Sequence, residues 1–250
     1  MFRQSIFTSP HNFMNPEISI VIPVFNEEEN ISRLSSAIQA AMTAIKSYEC
    51  IFVDDGSMDE SYNEMKKVCG EYDNFRIVRL KRNCGQTAAL DAGFRASRGK
   101  YIVMMDADLQ NDPSDIPLLF AEINGYDMLY GWRFKRKDSL VKKISSKVAN
   151  YVRNKLTGEN IRDIGCSLKI FRRECLNQIK LYNGMHRFLP TLFKMEGYTV
   201  KEVKVKHNPR IYGGSKYNIR NRIFKSFLDL LAVRWMNKRK LYYEVKNEQH

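Results

Sequence analysis

A chain of 250 residues with 44% hydrophobic and 28% charged side chains is long enough for one large domain and too apolar to stay disordered. The longest stretch without a charge, residues 4–16, is polar. A bilayer-spanning helix, which needs about 18 apolar residues, and a secretory signal are therefore not expected. The net charge of +13 is unevenly placed: residues 1–132 carry 12 basic and 19 acidic side chains, residues 133–155 carry 9 and 1, and residues 201–240 carry 12 and 2. An acidic first half followed by two basic stretches implies that the second half faces a polyanion.

Residues 1–16 read as a mobile tail. Apolar runs at 17–23, 49–54, 75–80 and 100–105 then alternate with helical patterns near 28–46, 59–72 and 85–97. Ile- and Val-rich strands separated by helices predict β-α-β units and an α/β fold built on a mostly parallel sheet. Ligands of such sheets bind beyond the carboxyl ends of the strands, where this sequence places Asn26, Glu27, Asp54, Asp55, Asp106 and Asp108. Residues 138–157 have helical amphipathic spacing, with Leu140, Val141, Ile144, Val148, Tyr151 and Val152 opposite Lys142, Lys143, Lys147 and Arg153. Residues 199–207 alternate as an exposed or edge strand would. A final helix is predicted over 217–240, its apolar half formed by Ile219, Ile223, Phe224, Phe227, Leu228, Leu230, Leu231 and Trp235.

Four motifs carry chemistry. D-A-D-L-Q at 106–110 follows a buried strand, so Asp106 and Asp108 can approach one hard cation, with the amide oxygen of Gln110 nearby. The bland alternative is a solvated turn capping the next helix. V-D-D-G-S-M-D at 53–59 puts a carboxylate where a nucleobase or ribose hydroxyl can be bound, or merely solvates a helix entry. N-C-G-Q-T-A-A-L-D-A-G-F at 83–94 opens a helix with a narrow Ala/Gly face and an N-terminal end suited to an anion. R-I-Y-G-G-S-K-Y at 210–217 has the cations, glycines and hydroxyl of a lid over a diphosphate. There is no G-x-G-x-x-G and no Walker loop, and the four histidines lack metal-ligand spacing. Cys50, Cys69, Cys84, Cys166 and Cys175 contain no C-x-x-C pair, which fits a reducing cytoplasm.

In order along about residues 17–240, I-P-V-F-N-E-E-E-N (22–30), V-D-D-G-S (53–57), N-C-G-Q-T-A-A-L (83–90), D-A-D-L-Q-N-D-P (106–113), G-W-R (131–133), D-I-G-C-S-L-K-I-F-R-R (163–173) and G-G-S-K-Y (213–217) resemble the family-2 glycosyltransferases of GT-A fold. The likeness is nearest to the polyprenyl-phosphate sugar transferases. It implies a catalytic unit over 17–216, with a nucleotide-sugar half at 17–132 and an acceptor half at 133–216, followed by an amphipathic helix in 217–250. By the resemblance, Pro23, Phe25, Glu27, Asp55 and Gln86 lie about the nucleoside. Asp106, Ala107 and Asp108 hold the sugar diphosphate, with Mg²⁺ or Mn²⁺ on Asp106, Asp108 and Gln110. Arg210 and Lys216 cover the diphosphate. Arg133, Lys143, Ser146 and Ser215 meet the acceptor phosphate, and Asp163 opens a D-x-x-x-x-x-R stretch in which Lys169 replaces the arginine. Trp132 replaces the small residue usual before Arg133.

The implied activity is an inverting transfer from a UDP- or GDP-sugar to a polyprenyl phosphate. It implies a peripheral enzyme on the cytoplasmic membrane face, its basic helices on anionic lipid. The absence of spans leaves room for a separate membrane subunit or a homo-oligomer. Competing expectations are transfer to a hydroxyl of a cell-envelope glycan, a nucleotidyltransferase sharing the D-x-D, and a basic nucleic-acid-binding protein. The last lacks an aromatic-rich binding strand or a helix-turn-helix signature, so nucleic acid is not an expected partner.

Overall fold

A computed structural model describes residues 15–45, 47–134, 154–155, 161–210, 219–241 and 243. Lys143, Ser146, Ser215 and Lys216 lie outside them, as does the predicted helix over 138–157 apart from Asn154 and Lys155.

The chain runs β1 (Ile18–Val24), α1 (Glu28–Ala41), β2 (Tyr48–Asp54), α2 (Ser61–Glu71), β3 (Phe75–Arg79), α3 (Gln86–Ala96), β4 (Tyr101–Met104), α4 (Asp115–Glu122), β5 (Met128–Arg133), β6 (Lys169–Arg172), α5 (Leu189–Met195), β7 (Val200–Val205) and α6 (Ile219–Arg239). The strands form one sheet in the order β3-β2-β1-β4-β6-β5-β7. Every pairing is parallel except those of β6, which runs antiparallel between β4 and β5. The four predicted β-α-β strands are thus β1 to β4, and the alternating 199–207 segment contains edge strand β7. Strands β5 and β6 are additions to the sequence reading.

Strand alternation divides the core into two layers. Ile20, Ile22, Cys50, Phe52 and Val103 pack on one face with Ile31, Leu34 and Ile38 of α1. Val21, Ile51, Val53, Ile102 and Met104 pack on the other with Ala89, Leu90 and Phe94 of α3. The second face requires close approach: a Cβ on Gly93 would stand 2.3 Å from Val21 Cγ1. The small-residue face read from 83–94 is therefore used for packing α3 on the sheet.

Helix α6 departs from its predicted wheel. Leu230 and Val233 bury against Met185, Phe188 and Leu192. Phe227, Leu228, Leu231 and Trp235 are exposed, and Lys238 and Arg239 end the helix in solvent. Its apolar surface is therefore split between an inward and an outward side.

Candidate active site

β1 and β2 are in register from Ile18↔Tyr48 to Val24↔Asp54, so the polar residues after both emerge at one sheet edge. Asn26 takes a left-handed conformation (φ 53°). Its amide donates to Ser57 Oγ at 3.0 Å and its Oδ1 accepts from the Met58 amide at 2.8 Å. Glu27 follows, its amide donating to Ser61 Oγ at 2.7 Å and its carboxylate accepting from Asn30 at 2.7 Å. Pro23 and Phe25, beside these, are partly exposed. Two loops are thereby fixed to each other and to the starts of α1 and α2.

The neighbouring aspartates have separate duties. Asp54 is buried and accepts from the Ser57 amide at 2.8 Å and from Arg79 Nε at 3.0 Å. Asp55 accepts from the Cys84 amide at 2.7 Å on Oδ1 and from the Gly85 amide at 2.9 Å on Oδ2. It therefore shapes the N-C-G turn that opens α3, and each of its oxygens retains a further lone pair. Gly56 (φ +74°) permits the approach, since a Cβ there would lie 2.6 Å from the Asn83 amide nitrogen. The turn delivers Gln86, whose Nε2 donates to Asp106 Oδ1 at 2.8 Å.

Asp106 and Asp108 leave β4 on that same edge. Burial, reinforced by the charge of Asp108, pushes the Asp106 carboxyl up to about 6, against an opposing hydrogen bond from Ser167. Ala107 between them is buried in the core, so its side chain faces away from solvent. Leu109 turns the chain at φ 59°, and the Gln110 amide donates to Asp108 Oδ1 at 3.2 Å. Two mutually repelling carboxylates form a hard-oxygen donor pair that fits a divalent cation. Among the described residues no group of three or more His, Cys, Asp or Glu side chains could hold a metal, so remaining ligands would come from substrate or water.

A segment distant in sequence lies along this corner. The Lys206 amide donates to Asp115 Oδ2 at 2.7 Å, and Lys206 Nζ donates to Ser114 Oγ at 2.9 Å. The Asn208 amide donates to Gln110 O at 2.9 Å, and Arg210 Nη2 meets Asp108 Oδ2 at 2.5 Å. Residues 206, 208 and 210 thus pair in turn with 115, 110 and 108.

The other half of the edge is built by the antiparallel strand. β6 starts where β4 ends and beside the middle of β5, with Lys169 opposite both Met104 and Tyr130. Lys169 is buried, and its Nζ donates to Cys166 O. Burial pushes its ammonium group down from the usual lysine range, while the charges of Asp106 and Asp163 act to hold the proton. Arg133, at the end of β5, binds Asp163 through both arms: Nε to Oδ2 at 2.7 Å and Nη2 to Oδ1 at 2.8 Å. Trp132 lies under the Arg162 guanidinium, 4.7 Å from the ring centroid.

The predicted residues thus meet as Gln86–Asp106, Asp108–Arg210 and Arg133–Asp163. The sequence reading did not find Lys169 as a buried cation between two of these pairs. Nor did it find the Asn111–Ser167 bond (2.6 Å) beside Asp106, or buried His186 bound to Thr87 Oγ1 at 2.7 Å behind Gln86. A lysine inside the apolar run L-K-I-F at 168–171, standing where the resemblance expects an arginine, is the signal for the first.

Comparison with known proteins fits this geometry. A family described as glycosyl transferase family 2 matches residues 19–180. The dodecaprenyl-phosphate galacturonate synthase of Rhizobium johnstonii is 45% identical over 224 residues, 87% of this chain and 66% of the relative. An undecaprenyl-phosphate 4-deoxy-4-formamido-L-arabinose transferase of Proteus mirabilis is 38% identical over 205 residues, 81% of this chain and 63% of the relative. The chain therefore spans about two thirds of these relatives' length. Glucosyl-3-phosphoglycerate synthase from Mycobacterium tuberculosis, solved with Mn²⁺ and UDP-glucose, superposes with a TM-score of 0.68 at 18% identity, covering 88% of this chain and 79% of that one. That likeness establishes a GT-A-like fold.

Proposed function

The chain belongs to glycosyl transferase family 2, and from that premise we propose that it moves a sugar from a nucleoside-diphosphate sugar to a polyprenyl phosphate with inversion at the anomeric carbon. The observation that carries this reading is the spacing of charge along one sheet edge. Buried Lys169 lies within electrostatic reach of Asp106, Asp163 and Arg133, so the acidic corner and the arginine fork share one edge.

On this reading Pro23, Phe25, Glu27, Asp55 and Gln86 border the nucleoside, beside the cleft lined by Gly56, Ser57, Arg79 and Arg82. Asp106, Asp108 and Gln110 would hold Mg²⁺ or Mn²⁺, which supplies positive charge to the departing diphosphate. Arg210 adds a second cation there. Arg133 offers a planar fork suited to phosphate oxygens, with Lys143, Ser146 and Ser215 as further acceptor contacts and Lys216 as a further cation over the diphosphate, all four outside the described residues. A phosphate monoester is largely a dianion at pH 7, its second ionisation lying at about 6. It therefore needs positioning rather than a general base. Its oxygen bonds to the anomeric carbon as the bond from that carbon to the diphosphate oxygen breaks, and the nucleoside diphosphate leaves with the electron pair. Asp163 holds Arg133 in register until the acceptor arrives.

The acceptor is confined to a bilayer, and α6 suits that surface. No helix among the described residues is long and apolar enough to cross a membrane. The exposed Phe227, Leu228, Leu231 and Trp235, followed by Lys238 and Arg239, would lie in the headgroup plane of an anionic leaflet, placing the enzyme peripherally on the cytoplasmic face. Incubation of UDP- and GDP-sugars with undecaprenyl phosphate and Mn²⁺ or Mg²⁺, read by mass spectrometry, tests the reaction. A lipid-linked monophosphosugar and free nucleoside diphosphate are expected. Pyrophosphate release, or sugar found only on a hydroxyl acceptor, would refute it. Flotation with anionic liposomes at low salt tests the surface, and protein left at the bottom of the gradient would count against it.

A further inference from the structure

Asp108 has a cationic partner before any substrate is present. Its side chain is 7% exposed, and its Oδ2 is engaged at 2.5 Å by Arg210, a residue 102 positions away. The contact ends an ordered series. Lys206 is tied to Asp115 and Ser114, Asn208 to Gln110, and Arg210 to Asp108. The first two anchors involve no atom of the acidic pair. They place the Arg210 guanidinium at the mouth of the corner whether or not the last bond is made.

We propose that Arg210 is a placeholder cation on Asp108, exchanged for the divalent metal only when a diphosphate offers the guanidinium another anion. This deepens the reading above, on which it rests. One carboxylate oxygen cannot serve a guanidinium at hydrogen-bond distance and a metal at bonding distance on the same side without bringing two cations together. A metal arriving alone, even on Oδ1, must therefore bear the repulsion of the guanidinium or displace Arg210 into water. A metal arriving with a diphosphate gives Arg210 a doubly charged ligand a few ångströms away, and charge-assisted bonds of similar strength replace the one lost. Metal binding and diphosphate binding are consequently coupled with positive sign, and the coupling is reciprocal. The apo corner stays neutralised, which limits capture of stray divalent ions.

The test measures Mn²⁺ binding to the full chain by electron paramagnetic resonance of the free ion, with no nucleotide and then with saturating UDP or GDP. Arg210→Gln is expected to bind Mn²⁺ alone about tenfold more tightly than the wild type, the magnitude of one charge-assisted hydrogen bond. With nucleotide the ranking reverses, because the wild type gains a guanidinium–diphosphate contact that the variant lacks. Lys206→Ala, which loosens the root of the segment and touches neither carboxylate of the pair, is expected to tighten nucleotide-free Mn²⁺ binding severalfold. Equal or weaker nucleotide-free binding in Arg210→Gln, or a nucleotide effect of the same size in variant and wild type, would overturn the exchange. Such a result with sugar transfer to polyprenyl phosphate intact would strike this proposal alone. The expected Mn²⁺ pattern without sugar transfer would strike only the proposed reaction.

Discussion

On the proposed reaction, replacing Arg133 with lysine should separate the acceptor side of the edge from the donor side. The guanidinium makes two bonds to Asp163, at 2.7 and 2.8 Å, from a site where the two side chains are 15% and 5% exposed. An ammonium group at the same place reaches one oxygen well and cannot span two. Loss of one charge-assisted bond amounts to about 1.5–3 kcal/mol. If the acceptor phosphate uses the same fork, its affinity should fall roughly 10- to 150-fold in Arg133→Lys. The pair with Asp163 weakens by a similar amount. At about 2–4 °C per kcal/mol for a chain of this size, Tm should drop by roughly 3–12 °C. Initial rates at varied acceptor and fixed saturating donor, and the converse, give the two KM values, with differential scanning fluorimetry alongside. The acceptor KM should rise while the donor KM stays within about twofold, the scatter tolerated for an untouched site. Asp163→Asn should lower Tm comparably but shift the acceptor KM less, because the guanidinium remains. A rise in donor KM with the acceptor KM unchanged would refute the placement. A fall in kcat with both KM values unchanged would do so equally.

Three further outcomes follow from other parts of the fold. Although burial opposes it, bonds from Arg76, Ser19 and the Arg98 amide hold the Glu49 carboxyl below its usual 4.5. Its stabilisation is complete above that value and is lost as pH falls through the lowered one. Glu49→Gln should therefore lose about 1–3 kcal/mol at pH 7 by urea unfolding, and the deficit should vanish in acid; a deficit independent of pH would contradict the ion-pair account. Gly93→Ala should destabilise by about 1–3 kcal/mol despite the better helix propensity of alanine, because its Cβ meets Val21 Cγ1 at 2.3 Å and Val53 Cγ2 at 2.9 Å. A stabilised variant in thermal melts would show that α3 can lift from the sheet. Burial and Asp108 raise the Asp106 carboxyl to about 6, so protons compete with the cation in mildly acidic solution. Calorimetric Mn²⁺ affinity with nucleotide present should weaken as pH falls from 7 to 5, and a flat profile would remove Asp106 from the ligand set.

The parallel half was legible because its strands are Ile- and Val-rich runs, such as I-S-I-V-I-P and C-I-F-V-D, interrupted by helical periods. The same logic placed Asp55, Asp106 and Asp108 at one edge before any geometry was known. β5 and β6 escaped for physical reasons. Met128–Arg133 carries Gly131 and a terminal arginine, and Lys169–Arg172 is only four residues long with a charge at each end. Burial of Lys169 depends on Asp106 and Asp163 lying nearby, which no local pattern encodes. The Arg210–Asp108 contact was equally hidden. It exists because β7 pairs with β5 and delivers the 206–210 segment to the edge where β4 also ends. Helix α6 was legible in position but not in which apolar residues it buries, since Leu230 and Leu231 are neighbours with opposite fates.

The ion pair between Arg133 and Asp163 joins the two points where the chain leaves the sheet after β5 and returns toward β6. A tie between those two points sets where Ile161, buried in the core with Met128 and Tyr130 of β5, re-enters the fold. Loss of that tie should be felt in both core layers at once, because Ile161 and Leu168 on the returning chain are buried in one layer each.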